Sequence, residues 1–322
     1  MSVNLRSVTA KGARLLALIL LPPKKDVDIE SLKLFCDVIK LRGFTQAAAA
    51  NSITQSAVSQ RLKALEKRFG ARLLERHGSE MQLTQAGEAV YRGARRILGE
   101  VREIEERLQE LSGQDGGAVK VATIYSVGLY ELDPFVKMFL KIHPNIEVQV
   151  EYSRVNKIYQ DVVNGTVDLG IVAYPTTKPH IRSIAFSQDE MVLICPPDHP
   201  FARQDSISLK RLADQPLVTF HRDIPTRGEL DALLKNEGVT PAIKAEFDNI
   251  ELIKRAVEIG MGVSIVPAIT VRSEIQAGLL KAVSLAEGPF MRPIAIVYRR
   301  GRSLPPAAKK FIAVLTGNGP GM

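Results

Sequence analysis

One segment, residues 44–70, restricts the possible folds of this chain more than any other, because it predicts two short helices joined by a tight turn. A first, alanine-rich helix over Thr45–Ala50 is followed by Asn51 and Ser52, whose side chains bond nearby backbone groups and favour turns. Thr54 can cap a second helix, since its hydroxyl accepts a hydrogen bond from a free backbone N–H group. Small and apolar residues allow the two helices to cross closely: Ala47, Ala48, Ala57, Val58, Leu62 and Leu65.

The outward face of the second helix predicts contact with DNA. A helix that enters the major groove reads base edges with hydrogen-bonding and cationic side chains. The residues expected to do so are Gln55, Ser56, Ser59, Gln60 and Arg61. An ordinary amphipathic helical hairpin with a solvated polar face is the alternative interpretation.

The next segment predicts a small hairpin, or wing. Gly78 and Ser79 favour a tight turn, and Met81–Leu83 can form the returning strand. Thr84 would cap the following helix, and Gly87 stands where close packing is useful. We expect the wing and the neighbouring helix to hold DNA phosphates, which set register and affinity and not sequence preference. The residues assigned to phosphate contacts are Thr54, Lys63, Arg72, Arg76 and His77.

The long helix after Thr84 carries apolar residues at alternating intervals of four and three positions. This seam consists of Val90, Ala94, Ile97, Val101, Ile104, Leu108 and Leu111. A seam of that period packs as in a coiled coil, and the remaining face is densely charged. We therefore expect two copies of the chain to dimerise here, which would place two recognition helices about one DNA turn, or a multiple, apart. A long core helix packed within its own chain is the alternative.

The second half of the chain predicts an α/β domain. Residues 113–117 are polar and glycine-rich and indicate a hinge. Beyond them apolar strands alternate with helices, which is typical of a largely parallel sheet. We expect strands at 119–123, 147–152, 168–173, 191–195, 217–220, 242–247, 262–266 and 292–298, and helices at 127–140, 156–164, 227–237, 250–259 and 306–315.

A ligand in such a domain lies in the cleft at the strand ends, where helix N-termini present free N–H groups. Two hydroxyls, one guanidinium and several helix N-termini fall at these positions, which predicts a small carboxylate or another oxyanion. The expected contacts are Thr123, Ile124, Tyr125, Ser126, Ala173, Tyr174, Thr226, Arg227 and Asn249. Local capping is the alternative for Ser126 and Asn249, and a solvated first-turn position is the alternative for Arg227.

Catalysis, metals and cofactors find little support. The five histidines are scattered, and no metal-binding or nucleophile motif occurs. We interpret residues 260–262 as a helix-end turn and the pair Asp189 and Glu190 as solvated acids. Cys36 and Cys195 are expected to be small buried residues in a reducing compartment, with a redox-sensing thiol as the alternative.

The charge balance permits nucleic-acid binding without requiring it. The net charge is +8 and the sequence pI is near 9.4. Residues 29–83 contain nine Lys or Arg against five acidic residues, a local surplus of +4.

Taken in order, these motifs resemble the LysR-type transcriptional regulators of bacteria. The resemblance rests on a first helix at 29–41 and on FTQAA at 44–48, TQSAVSQ at 54–60, LKALE at 62–66, LLER at 73–76 and LTxxG at 83–87. It extends from Ile29 over nearly the whole remaining chain. It implies a winged helix-turn-helix at 29–83, a linker and dimerisation helix at 84–112 and, after the hinge, an effector-binding domain at 118–322.

The implied fold is α/β overall, with an N-terminal winged helix-turn-helix, a long dimerisation helix and a two-lobed periplasmic-binding-protein-like α/β domain. Its lobes would comprise about 118–193 with 290–322, and about 194–289. The implied function is a cytoplasmic regulator that binds double-stranded promoter DNA and a small-molecule effector and assembles as a dimer or tetramer. RNA polymerase is a further implied partner, and no membrane partner is expected. A solute-binding protein or an enzyme with N-terminal helices that serve only assembly is one alternative, and a nucleoid-type structural protein is another.

The chain departs from the family pattern in two places. Residues 1–28 precede the point where members usually begin, and we expect a disordered or mis-started N-terminus, with a surface-docked arm as the alternative. The apolar run Leu15–Leu21 is far shorter than the roughly 20 residues that span a bilayer. It also lacks the cleavage pattern of a signal peptide. Arg61 stands where many members have glutamine, so no relative's base preference is transferred.

Overall fold

The computed structural model describes residues 27–77, 80–111, 116–301 and 303–317. The chain divides into two compact units between Val101 and Arg102. The predicted N-terminal extension up to residue 26, the wing turn at 78–79 and the hinge residues 113–115 lie outside the described residues.

The first unit begins with three helices: α1 (Ile29–Lys40), α2 (Phe44–Ala50) and α3 (Gln55–Phe69). Thr54 caps α3 as predicted, because its hydroxyl accepts a hydrogen bond from the Ala57 N–H group at 3.2 Å. The helix ends at Gly70, whose φ of 66° is a left-handed conformation that glycine adopts without steric cost.

The turn between α2 and α3 is held by Asn51. Its side-chain amide donates to the Ala47 carbonyl and to the Asp37 carboxylate, both at 2.9 Å. The predicted close crossing is confirmed: Ala47, Ala48 and Val58 are buried with Val38 of α1, Leu62 and Leu65 are buried with Phe35, and Ala57 is half-buried. These contacts hold α3 rigidly by one face and leave its polar face outward.

Two short antiparallel strands, β1 (Leu74–His77) and β2 (Glu80–Leu83), form the wing. Helix α4 (Gln85–Leu111) follows, and the Thr84 hydroxyl accepts a hydrogen bond from the Gly87 N–H group at 2.9 Å. A Cβ atom added at Gly87 would lie 1.9 Å from the carbonyl oxygen of Leu73. The predicted close packing at this glycine is therefore confirmed.

The second unit alternates strands and helices. Its strands are β3 (Gly117–Thr123), β4 (Ile146–Tyr152), β5 (Leu169–Ala173), β6 (Ile181–Cys195), β7 (Ser206–Ile207), β8 (Pro216–Phe220), β9 (Ala242–Phe247), β10 (Ser264–Pro267), β11 (Lys281–Leu285) and β12 (Phe290–Arg299). Its helices are α5 (Tyr125–Tyr130), α6 (Leu132–Ile142), α7 (Val155–Asn164), α8 (Pro225–Asn236), α9 (Ile250–Glu258), α10 (Arg272–Gln276) and α11 (Pro306–Leu315), with short 3₁₀ turns between some of them.

The main sheet has the strand order β4-β3-β5-β12-β6-β11-β7, and β10 also pairs with β6. The expectation of a largely parallel sheet is wrong. Strand β3 is parallel to β4 and β5, whereas β12 is antiparallel to β5 and to β6. The sequence analysis missed the first ten residues of β6, in which the apolar side chains are Ile181 and the short run at 184–186 and the others are polar.

Strands β6 and β12 cross between two lobes. The first half of β6 pairs with β12, and its last residues pair with β10 and β11. Each lobe has its own apolar core: one lies around Val121, Phe139 and Phe311, and the other around Leu193 and Ile253. Two lobes joined by crossing strands enclose a cleft, as the sequence predicted.

The predicted helix at 127–140 is broken. Helix α5 ends at Tyr130 and α6 begins at Leu132, because Glu131 departs from helical geometry with a φ of −112°. Its carboxylate accepts a hydrogen bond from the Ser187 hydroxyl of β6 at 2.6 Å. The break thus brings an acidic side chain against the crossing strands.

Candidate functional site

The polar face of α3 carries the residues predicted to read bases. Gln55, Ser56, Gln60 and Arg61 are exposed, and Ser59 is half-buried. The Ser56 hydroxyl also lies 2.9 Å from the hydroxyl of Thr54, so the first turn is ordered before any partner binds. The face offers amide, hydroxyl and guanidinium groups on a fixed helix.

The structure brings several of the predicted phosphate contacts to one groove beside this face. Lys63 and Arg72 are exposed and line it together with Ser59 of α3 and Met81 of the wing. Thr54 is exposed too, although its hydroxyl already caps α3. The side chains of Arg76 and His77 lie outside the described residues.

The apolar seam of α4 separates into two parts. Ala94 is buried in the core of the first unit, and Val90 packs against the same core. Ile97, Ile104 and Leu108 are 46%, 61% and 61% exposed. Val90 and Ala94 therefore pack within their own chain, which is the alternative interpretation of the helix. The exposed part of the seam begins one turn later, at Ile97.

A cavity of about 360 Å³ lies in the cleft between the two lobes. Five of the nine predicted ligand contacts line it: Ile124, Tyr125, Ser126, Ala173 and Thr226. Its wall also contains Arg154, Lys157, Asp223, Asp248 and Arg292, together with apolar side chains that include Phe220, Ile224 and Ile250. The cavity can surround a small molecule with both polar and apolar contacts.

The other four predicted contacts do not line this cavity. Arg227 is buried, and its guanidinium donates to the Phe220 carbonyl at 2.8 Å and to the carboxylates of Asp231 and Glu246 at 2.7 Å each. Asn249 caps α9 by accepting from the Glu251 N–H group, which is the capping alternative. Thr123 and Tyr174 are buried and half-buried next to the cavity wall. All four residues support the walls.

The most consequential residue that the sequence analysis missed is Arg292. It is 1% exposed, lies directly opposite Asp189 across the β6–β12 pair, and donates to that carboxylate through Nε and Nη2. Its Nη1 donates to the Ser126 hydroxyl at 3.0 Å. The interpretation of Asp189 as a solvated acid is therefore wrong, because cross-strand pairing buries it against a cation.

A second missed cation, Arg154, spans the mouth of the cavity. It precedes α7 in one lobe and forms ion pairs with Asp223 and Asp248 of the other. Asp223 also accepts a hydrogen bond from His221, and this bond, with the charge of Arg154, holds the pKa of Asp223 below its usual range. Exposed side chains thus hold the two lobes together at the rim.

A third contact between the lobes is buried. The ammonium group of Lys254 in α9 is 2.5 Å from the Tyr130 hydroxyl, 2.9 Å from Glu274 and 3.1 Å from the Thr270 carbonyl. Lys254 is a buried charge whose donors are all satisfied by this arrangement. Tyr130 is the last residue of α5 and belongs to the opposite lobe. The contact therefore holds the C-terminal end of α5 against the second lobe.

The thiols and the remaining acidic and histidine residues give no sign of redox or metal chemistry. Burial raises the pKa of Cys36 to about 12 and that of Cys195 to about 11, so both thiols are protonated at neutral pH. Within the described ranges, no three His, Cys, Asp or Glu side chains are grouped to hold a metal ion. Over the same part of the chain, no helix is long and apolar enough to cross a membrane.

Known proteins match both halves of the chain. A family described as "Bacterial regulatory helix-turn-helix protein, lysR family" matches residues 29–88, and the "LysR substrate binding domain" matches residues 112–319. The RuBisCO operon transcriptional regulator of Allochromatium vinosum is 31% identical over 285 residues, which cover 88% of this chain and 94% of that one.

Solved structures share the fold. Full-length OxyR from Pseudomonas aeruginosa matches with a TM-score of 0.71 at 23% identity, over 91% of this chain and 94% of that chain. Full-length CbnR, in a structure with its target DNA, matches with a TM-score of 0.70 at 22% identity, over 91% and 100%. The chain therefore belongs to the LysR family of transcriptional regulators, with a helix-turn-helix DNA-binding domain and an effector-binding domain.

Proposed function

We propose that this regulator recognises its promoter through the polar face of α3 and responds to a small oxyanion, such as a carboxylate, bound in the cavity between the lobes. The observation that carries the effector part is Thr226. Its side chain is 3% exposed, lines the cavity, and makes no hydrogen bond within the described residues. A hydroxyl that faces the cavity without a bond to the protein can donate to or accept from a ligand there.

Two helix N-termini next to Thr226 support an anion. Helices α7 and α8 both begin at the cavity, and neither Arg154 nor Ile224 provides a side-chain cap. The first N–H groups of α7 are available to a ligand. In α8, Pro225 has no N–H group and that of Arg227 donates to the Ile224 carbonyl at 2.9 Å, which leaves the N–H group of Thr226. The helix dipole favours negative charge at both ends. Ser126 adds a third polar contact from the facing lobe.

The DNA-binding part rests on the exposed amide, hydroxyl and guanidinium groups of α3. Gln55, Ser59 and Gln60 are suited to base edges, while Lys63 and Arg72 in the adjoining groove are suited to phosphates. Ile97, Ile104 and Leu108 supply a seam for a second copy of the chain, since large apolar side chains in a heptad pattern are rarely left in water. A dimer, or a tetramer built from two dimers, would then act with RNA polymerase on promoter DNA in the cytoplasm, without enzymatic activity.

The test is a footprint of the purified protein on the DNA upstream of its own gene. Salt is held at one moderate concentration with competitor DNA, because phosphate-driven binding falls steeply with salt. We expect a protected pseudo-palindrome with half-sites about one helical turn, or a multiple, apart. No protection, under conditions where small carboxylates still raise the melting temperature, would instead support a solute-binding protein.

A further inference from the structure

At the cavity wall, one buried cation faces two buried carboxylates. Arg292 is paired with Asp189, and the Oε1 atom of Glu131 lies 4.0 Å from its Nη2 atom. The other oxygen of Glu131 accepts the hydrogen bond from Ser187. Oε1 is buried and has no hydrogen-bond partner within the described chain. A single guanidinium cannot neutralise both carboxylates, so the cluster carries an excess negative charge when both are ionised.

The same guanidinium fixes the hydrogen-bonding role of Ser126. Arg292 can only donate, so the Ser126 oxygen acts as the acceptor in their 3.0 Å hydrogen bond. The hydroxyl hydrogen of Ser126 is then left to be donated elsewhere. Because Ser126 lines the cavity, this hydrogen is offered to a ligand atom that accepts.

The charge of the cluster responds to pH near neutrality. Burial, reinforced by the negative charge of Asp189, raises the pKa of Glu131 to about 7, while Ser187 and Arg292 oppose the rise. Tyr174 also feels the charges of Arg292 and Asp189, together with Glu229 of α8, and burial raises its pKa. Tyr174 therefore stays neutral in the range where Glu131 exchanges its proton.

We propose that Arg292 is a positioning residue that makes Ser126 a hydrogen-bond donor to an oxyanion in the cavity, and that Glu131 takes up a proton when this anion binds. The inference rests on the proposed effector role of the cavity. An anion at Ser126 adds negative charge beside two carboxylates, and like-charge repulsion favours the neutral form of Glu131. Linkage is reciprocal, so the anion binds more tightly as pH falls through about 7.

The first test needs no ligand. Folded Glu131 keeps its proton up to about pH 7, whereas an unfolded glutamate releases it near 4.5. The stabilisation from this proton is complete below pH 4.5 and is lost as pH rises through about 7. Between pH 4.5 and 7, we expect the unfolding equilibrium constant of the wild-type full chain to rise by up to about tenfold per pH unit. The reference at each pH is the unfolding equilibrium constant of the Glu131→Gln variant. Urea unfolding followed by circular dichroism measures both constants.

Glu190→Gln is the matched control, because Glu190 is an exposed carboxylate on the same strand as Asp189. It should follow the wild-type pH profile. If the stability of the wild type and of Glu131→Gln depended on pH in the same way, Glu131 would not be the group that exchanges the proton. This conclusion does not depend on the result of the DNA footprint.

The second test uses sulfate, an acceptor-only anion whose charge is constant between pH 5.5 and 8.5. Titration calorimetry at pH 7 in two buffers of different ionisation enthalpy measures protons taken up on binding. We expect net uptake in the wild type and none in Glu131→Gln. Affinity for sulfate should rise by up to about tenfold per pH unit as pH falls through 7. Ser126→Thr keeps the hydroxyl and should bind sulfate, whereas Ser126→Ala should bind it weakly.

Sulfate binding that is equal in Ser126→Ala, or that is absent at pH 6, would overturn the proposed donor role of Ser126. Binding without proton uptake would overturn the role of Glu131. Either failure leaves a protected promoter site in the footprint unaffected. A missing footprint would instead refute the proposed function, so the two failures are distinguishable.

Discussion

The polar face of α3 in the first unit and the cavity wall of the second present polar groups in opposite ways. On α3 the polar side chains are exposed on one helix face, while apolar contacts behind them supply the stability. At the cavity, Ser126, Asp189 and Arg292 are buried, and the guanidinium of Arg292 donates to both of the others. Exposed groups act independently, whereas groups in one buried network depend on each other. Substitutions should therefore affect only binding on α3 and both binding and folding at the cavity.

The largest effect is expected at the seam of α4. Replacing both Ile104 and Leu108 by Asp removes apolar burial worth about 1.5–3 kcal/mol for each side chain and places charge on the seam in each copy. We expect the dimer to dissociate at micromolar concentration in sedimentation velocity. Ala89→Asp introduces one such charge at an exposed position outside the seam and should leave the dimer intact. Equal dimerisation of both variants would show that the copies associate through another surface.

The buried network should give the next largest effect. Arg292→Met leaves Asp189 and Glu131 buried without their cation, and breaking a buried ion pair costs about 3–5 kcal/mol. Urea unfolding should report this loss in the free energy of unfolding. Arg300→Met alters the same residue type at an exposed position two residues beyond Tyr298 and should change stability little. If both variants were equally stable, the cavity wall would tolerate independent substitution as α3 does.

A smaller effect distinguishes two glycines of α4. Gly87→Ala would force a Cβ atom within 1.9 Å of the Leu73 carbonyl oxygen, and overpacking of this kind costs about 1–3 kcal/mol. A Cβ at Gly93 has no neighbour within 4 Å, so Gly93→Ala should stabilise the helix by up to about 1 kcal/mol. Melting temperatures of the two variants should move in opposite directions. A shift in the same direction would mean that backbone flexibility, and not contact, decides both.

The DNA-binding face should show the smallest effect on the fold. Gln55→Ala and Ser59→Ala should each cost about 1–3 kcal/mol of affinity for the preferred site and leave non-specific binding unchanged. Lys63→Ala should weaken all sequences alike. Gel-shift titrations on specific and scrambled DNA separate these results, and melting temperatures should stay near the wild type. Unchanged site preference in both alanine variants would refute base reading by α3.

The elements that the sequence predicted well are those with local signals. The cap at Thr54 and the close packing at Gly87 follow from single residues and their neighbours. Ser126 and Thr226 were found because both follow a strand along the chain and lie in the first turn of the next helix, which reaches the cavity edge by topology. Arg227 was predicted by the same rule and does not line the cavity, because Glu246 and Asp231 hold its guanidinium.

The sequence by itself determined the helix-turn-helix, the wing and the alternation of strands and helices, since these depend on periodicity and capping within a few residues. Tertiary structure alone decided the chemistry of the cavity wall. Arg292 is 103 residues from Asp189 and 166 from Ser126. The antiparallel pairing of β6 with β12 places Arg292 opposite Asp189, and the fold places Ser126 of α5 within hydrogen-bond distance of the same guanidinium. It also decided that Ala94 packs inward while Ile104 and Leu108 stay exposed. A heptad pattern marks one helix face, but the surrounding chain determines which part of that face is already covered.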